Sequence, residues 1–192
     1  MKIKETSPAY LTKKKIYTYQ DYLDLPDDGK RYEIIDGELI MSPAPYTIHQ
    51  QVSVNIIAEL IPFVKKNKNG KVLYSPVDVV LSKTNVFQPD ILFVSNENLP
   101  IIQEKNINGA PDLIIEILSA ATGYYDLIEK KEIYEKFGVK EYWIVDPKKQ
   151  WAEIYFLDRG KFKSIQRLEK ARIVKSNVLK GFEISLEIVF AL

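Results

Sequence analysis

The chain has 192 residues, 46% of them apolar and 28% charged, which suits one ordinary domain with a real core and excludes intrinsic disorder. It has no cysteine and a single histidine, His49, so disulfides, thiolate centres, a cysteine nucleophile and zinc sites built on several histidines are excluded, and any metal would sit on oxygen ligands such as magnesium, manganese or calcium prefer. The net charge of +1, from 27 basic and 26 acidic residues, counts against a uniformly basic nucleic-acid binder but leaves room for a local basic groove.

The opening MKIKETSPAYLTKKK is basic with no apolar run behind it, and no segment approaches membrane-span length. A cytoplasmic location is therefore expected, with no membrane partner. Residues 1–16 read as a basic arm and 17–192 as one domain. YTYQDYLDL predicts one or two helical turns. RYEII-DG-ELIMS follows, and Asp36-Gly37 between two apolar runs predicts a type I′ hairpin. Residues 47–66 carry the helical period, with Val52, Ile56, Leu60 and Phe63 on one face. Thr47 is the expected cap, and Pro62 should kink or weaken the last turn. KVLYSPVDVVLS, VFQPDILFV and DLIIEIL then read as three strands, the last two nearly continuous in apolar residues, as strands covered on both faces are. Residues 96–110 read as a loop. A second helix over 124–137 ends at Gly138. EYWIVDP is a further strand, WAEIYFLDRGKFKSIQRL a hairpin turning at Asp158-Arg159-Gly160, and GFEISLEIVFAL closes the domain. The expected fold is α/β, a mixed central sheet flanked by helices, with hairpins near both ends.

Two carboxylates interrupt the apolar strands: Asp90 in PDILFV and Glu116 in LIIEIL. Desolvating an unpaired carboxylate costs several kcal/mol, roughly, so each needs a partner. A lysine, an arginine or an exposed strand end accounts for either one alone. If the two strands are neighbours, the pair points to a site where a hard divalent cation would stabilise both charges. Asp112, after Pro111, reads as a cap or a solvent-facing residue. Asp78 reads either as a third carboxylate near the site or as an alternating edge-strand residue.

On the second helix, at roughly 100° per residue, Leu127, Ile133, Tyr134 and Phe137 form the apolar stripe. Lys130 falls in its middle, with Asp126 one turn earlier on the same face, and Lys131 should snorkel outward. Lys130 is accounted for either by an ion pair with Asp126 or by a reach toward the sheet carboxylates, where an ammonium would position a water or stabilise phosphate charge. His49 projects to the apolar side of the first helix, as a hydrogen-bonded core residue or as a contact to the site, and Gln50 shares that choice. Glu33, on the first hairpin, either completes the acidic cluster or faces water, the commoner case for a strand glutamate.

These stretches resemble a known family. The order of helix, three strands, helix and strand is similar to the core of the PD-(D/E)XK nuclease superfamily, with QPDILFV as the second strand and LIIEILS as the third. More closely, YEIIDGELIMSPAP, IHQ, QPDILFV, PDLIIEILS, YDLIEKKEIYEKFGVKEYWIVDP and LKGFEI resemble, in order, the Uma family of restriction-endonuclease-like proteins, over residues 31 to 183. The superfamily's lysine would stand two residues after Glu116, where this chain has Leu118. The resemblance implies that its role passes to Lys130, in the stretch Asp126-x-x-x-Lys130, and that Glu33 and His49 are auxiliary. It further implies hydrolysis of DNA phosphodiester bonds. Asp90, Glu116 and the Ile117 backbone carbonyl would bind magnesium or manganese, with Lys130 as the third catalytic residue, and a homodimer would cut both strands. Two other expectations stand beside it: a non-catalytic nucleic-acid- or partner-binding module that keeps the fold, and a carboxylate glycosidase, which only the tyrosine content favours.

Overall fold

The computed structural model describes residues 15–42, 44–119, 128–169 and 172–191. Asp126 and the start of the predicted second helix lie outside the described residues. A short helix α1 (Tyr19–Leu23) is closed by a capping box between Thr18 and Asp21. The hairpin β1 (Arg31–Ile35) and β2 (Glu38–Ser42) turns at Asp36 and Gly37, whose φ values of 45° and 83° are those of the expected type I′ turn. Helix α2 (Thr47–Asn67) is continuous through Pro62. Both Pro62 and Ala58, whose carbonyl loses its donor, are exposed, so water replaces the missing bond and no break follows. The cap is Tyr46 without a side-chain bond, so Thr47 is the first helical residue and not the expected cap.

The next two apolar runs each divide. KVLYSPVDVVLS becomes β3 (Gly70–Tyr74) and β4 (Val79–Ser82), and VFQPDILFV becomes β5 (Asn85–Phe87) and β6 (Ile91–Ser95). The members of each pair belong to different sheets. The prolines explain the division, because neither Pro76, which follows a cis bond, nor Pro89 can donate to a ladder. The expected loop 96–110 holds a 3-10 turn at Asn96–Ile101 and a two-residue strand β7 (Ile107–Asn108), fastened by the Asn98 side chain donating to the Ala110 carbonyl at 2.9 Å. There follow β8 (Leu113–Ile117), α3 (Lys130–Phe137), β9 (Glu141–Asp146), the hairpin β10 (Trp151–Asp158) and β11 (Lys161–Glu169), then β12 (Ile173–Lys175), β13 (Glu183–Ser185) and α4 (Leu186–Val189). Gly138 closes α3 in the left-handed region, as read from the sequence.

The central sheet has the order β11-β10-β9-β8-β6-β3, with β8 and β9 parallel and the other pairs antiparallel. A second, five-stranded sheet runs β2-β1-β5-β4-β7. Alternation assigns the two faces of the central sheet. Leu113, Ile115 and Ile117 of β8 pack with Val52, Ile56, Leu60 and Val64 of α2. Ile114 faces the other way, into a core shared with Ile133 and Tyr134 of α3 and with Ile35, Val79 and Phe87 of the second sheet. Glu116 follows Ile114 by two and so points into this second layer. Among the described residues no helix is long and apolar enough to cross a membrane.

Candidate active site

Asp90 lies where the chain steps from β5 into β6. The register pairs Ile91 with Ile115 and Leu92 with Ile114, so one further step sets Asp90 opposite Glu116. Residues directly opposite in an antiparallel pair have Cβ atoms about 5 Å apart. Asp90 is held on three sides. The Ile117 amide donates to its Oδ2 at 2.8 Å, taking a carboxylate where a strand carbonyl would otherwise serve. His49 Nε2 lies 3.1 Å from the same oxygen, and the Asp90 carbonyl accepts from the Ser75 amide at 3.0 Å. Asp90 Oδ1 has no hydrogen-bond partner among the described residues. His49 is buried, and its Nδ1 is sealed from solvent with no partner among the described residues. Because the ionised Asp90 can only accept, Nε2 is the donor in this contact.

Glu116 is 3% exposed and its Oε1 accepts from Lys130 Nζ at 3.2 Å and from the Tyr134 hydroxyl at 2.9 Å. Burial, then the neighbouring Glu116 charge, pushes the Tyr134 phenol well above its usual range, so it stays a donor. The Lys130 ammonium also reaches Glu33 at 3.0 Å and lies 5.9 Å from the Phe87 ring centroid. Glu33 itself is buried and accepts from the Gln88 amide at 2.8 Å. The expectation that Glu33 faces water is thus corrected: Lys130 of α3 and the Gln88 amide cover its carboxylate. Asp90, Glu116, Lys130, Glu33 and His49 form two linked groups, Asp90 with His49 and Ile117, and Glu116 with Lys130 and Glu33, adjacent through the peptide joining Glu116 to Ile117.

Two sequence readings change. Asp112 does not face solvent. It is 1% exposed, accepting from the Ser95 amide at 2.7 Å and pairing with Lys140 at 2.6 Å. Asp78 is not on an edge strand, nor among the clustered carboxylates; it accepts from Tyr22 and Gln88. Lys131 lies over the Tyr155 ring, 4.4 Å from its centroid. Tyr134 and Gln88 were missed as site residues. Tyr134 had a signal, because it stands four residues after Lys130 on the same face. Gln88 acts through its backbone amide, for which residue type carries no signal.

The family described as "Uma2: Putative restriction endonuclease" matches residues 19–187. The chain belongs to the Uma2 family. No curated protein matches it. A crystal structure described as a putative nuclease belonging to DUF820, from Anabaena variabilis, is similar with a TM-score of 0.75 and 21% identity, over 91% of this chain and 97% of that one. At that identity the likeness speaks for the fold. The Uma2 match spans every residue of both linked groups, from Glu33 on β1 to Lys130 on α3.

Proposed function

We propose that this Uma2 protein is a metal-dependent endonuclease of the PD-(D/E)XK type that hydrolyses DNA phosphodiester bonds at Asp90, Glu116 and Lys130. The observation that carries this is Asp90 bound to the amide of Ile117, the residue next to Glu116, with Lys130 on that second carboxylate. Family membership supports a nucleic acid as the substrate.

The donor chemistry fits a hard cation. Asp90 Oδ1 is left without a partner among the described residues, while Oδ2 is fixed by His49 and Ile117. In an extended strand the N–H and C=O of one residue turn to the same neighbour, so the Ile117 carbonyl is the natural third oxygen. Its counterpart across the sheet would be Pro89, which has no N–H to offer. Magnesium takes one or two carboxylates and completes its shell with water and phosphate oxygens, so two neighbouring carboxylates and one carbonyl are enough protein ligands for it. Asp90, Glu116 and the Ile117 carbonyl would hold magnesium or manganese. Such an ion supplies Lewis acidity toward a phosphoryl oxygen and lowers the pKa of water.

The chain's own groups do the rest. Lys130 holds a positive charge beside Glu116, where it can orient the attacking water and offset charge building on the phosphate. Glu33 holds the ammonium from its other side. His49 fixes the rotamer of Asp90, the usual work of a residue behind a metal-binding carboxylate. The test is cleavage of plasmid DNA by purified protein in magnesium, manganese or EDTA. Cutting should need the divalent ion and should vanish in Asp90→Ala and Glu116→Ala. Cutting that persists in EDTA, or in both variants, overturns the proposal.

A further inference from the structure

The two steps between sheets, Ser75 to Asp78 and Gln88 to Asp90, run side by side, and a cavity of about 450 Å³ opens against them. Leu73, Ile107 and the Tyr22 ring give it apolar walls, and Asp78, Gln88 and Asn106, with Lys105 at the loop, give it polar ones. A cavity that joins apolar walls to fixed polar groups can hold a small ligand or part of a larger one.

The polar groups are held in known orientations. The Tyr22 hydroxyl donates to Asp78 Oδ1 at 2.8 Å, and Gln88 Nε2 donates to the same oxygen at 2.9 Å. Both bonds converge on Oδ1. Asp78 is partly exposed, and its Oδ2 has no hydrogen-bond partner among the described residues. Asn106 commits its Nδ2 to the Tyr19 hydroxyl at 2.9 Å. Asn106 Oδ1 and Gln88 Oε1 are buried and have no partner among the described residues. Those two acceptors are closed to solvent, so the acceptor open to the cavity is Asp78 Oδ2. The pocket therefore suits a ligand that brings an N–H group to Asp78 and a face to the Tyr22 ring.

The geometry points to a pocket for a nucleobase carrying an exocyclic amine, such as cytosine or adenine, with the amine on Asp78 and the ring against Tyr22. This inference rests on the nuclease proposal above. A carboxylate accepts from an amine such as cytosine N4, whereas thymine presents a carbonyl there, which Asp78 repels. An aromatic wall stacks any base that leaves its helix. Gln88 links the pocket to the site, since its side chain donates to Asp78 and its amide holds Glu33 at 2.8 Å.

The test measures the affinity of fluorescently labelled oligo(dC), oligo(dA) and oligo(dT) for the full chain in EDTA. Oligo(dC) and oligo(dA) should bind tighter than oligo(dT) by about fivefold or more. Asp78→Asn should reverse that order, because Tyr22 and Gln88 keep the amide oxygen at Oδ1 and turn its NH₂ into the pocket. Equal affinity for the three oligomers overturns the inference, as does an order unchanged in Asp78→Asn. Should that variant not fold, the wild-type ranking decides alone. DNA cleavage without base preference defeats the pocket and leaves the nuclease. Base preference with no cleavage under any metal defeats the nuclease and leaves the pocket.

Discussion

Lys130 carries one ammonium into contact with two buried carboxylates, Glu33 and Glu116. Removing one partner of a buried charge group is costly because the other charges stay behind. Lys130→Met should therefore destabilise the protein by about 3–5 kcal/mol in urea denaturation, besides abolishing cleavage. Adding Glu33→Gln should restore part of the stability and none of the cleavage. A fully stable Lys130→Met would show that the ion pairs do not tie α3 to the first hairpin. Asp112 gives the pH dependence. Burial alone would raise its carboxyl, but Lys140 and the Ser95 amide outweigh burial and hold it below the ordinary carboxylate value. A carboxyl depressed in the folded state contributes stability above its unfolded pKa and loses it as pH falls through the folded one. Asp112→Asn should cost about 1–3 kcal/mol at neutral pH, less the share that solvent screens at the half-exposed Lys140, and the deficit should shrink as the buffer is made acid. Urea midpoints of both proteins across the acid range check this; a deficit that grows toward acid gives the wrong sign.

At the scale of elements, the first hairpin positions the site from outside the central sheet. Its turn needs a positive φ at Gly37, and a Cβ there would meet Ile16 Cγ2 at 2.6 Å. Gly37→Ala should lower stability by at least about 1–2 kcal/mol, the cost of a left-handed backbone with a side chain. It should also slow cleavage, because β1 carries Glu33. Thermal melting and cleavage rate together check the coupling; a lower melting point with an unchanged rate would separate the hairpin from the chemistry. The Asp36-Gly37 turn and the period of α2 were legible because both are local. The division of KVLYSPVDVVLS and VFQPDILFV was not. A proline inside an apolar run marks an interruption, but which sheet receives each half depends on partners elsewhere in the chain.

At the scale of the whole molecule, the site lies where two sheets and α3 meet, and Phe87 fills that junction. It is fully buried, with its ring 5.2 Å edge-on from Tyr134 and 5.9 Å from the Lys130 ammonium. Phe87→Ala should cost about 3–5 kcal/mol, as other large-to-small changes in cores do. Cleavage should fall as well, although Phe87 carries no chemistry, because the cavity frees Lys130 and Tyr134 to move. Urea denaturation with an activity assay on the folded fraction checks both effects. A destabilised variant with full specific activity would show that the junction supports the fold alone.

The sequence by itself determined the two carboxylates in apolar strands, the lysine on an apolar helix face and the absence of softer metal ligands. Each follows from residue type and a short period, 2.0 in a strand or 3.6 in a helix. Tertiary structure decided the partners. Lys130 and Glu33 are 97 residues apart, and His49 and Asp90 are 41 apart. Periodicity tells which face a side chain takes but not what covers that face. For this reason Glu33 looked solvated and is buried, Asp112 looked exposed and is buried, and the Gln88 amide gave no sign of its role. Local chemistry nominated Asp90, Glu116 and Lys130; the meeting of two sheets decided what each one touches.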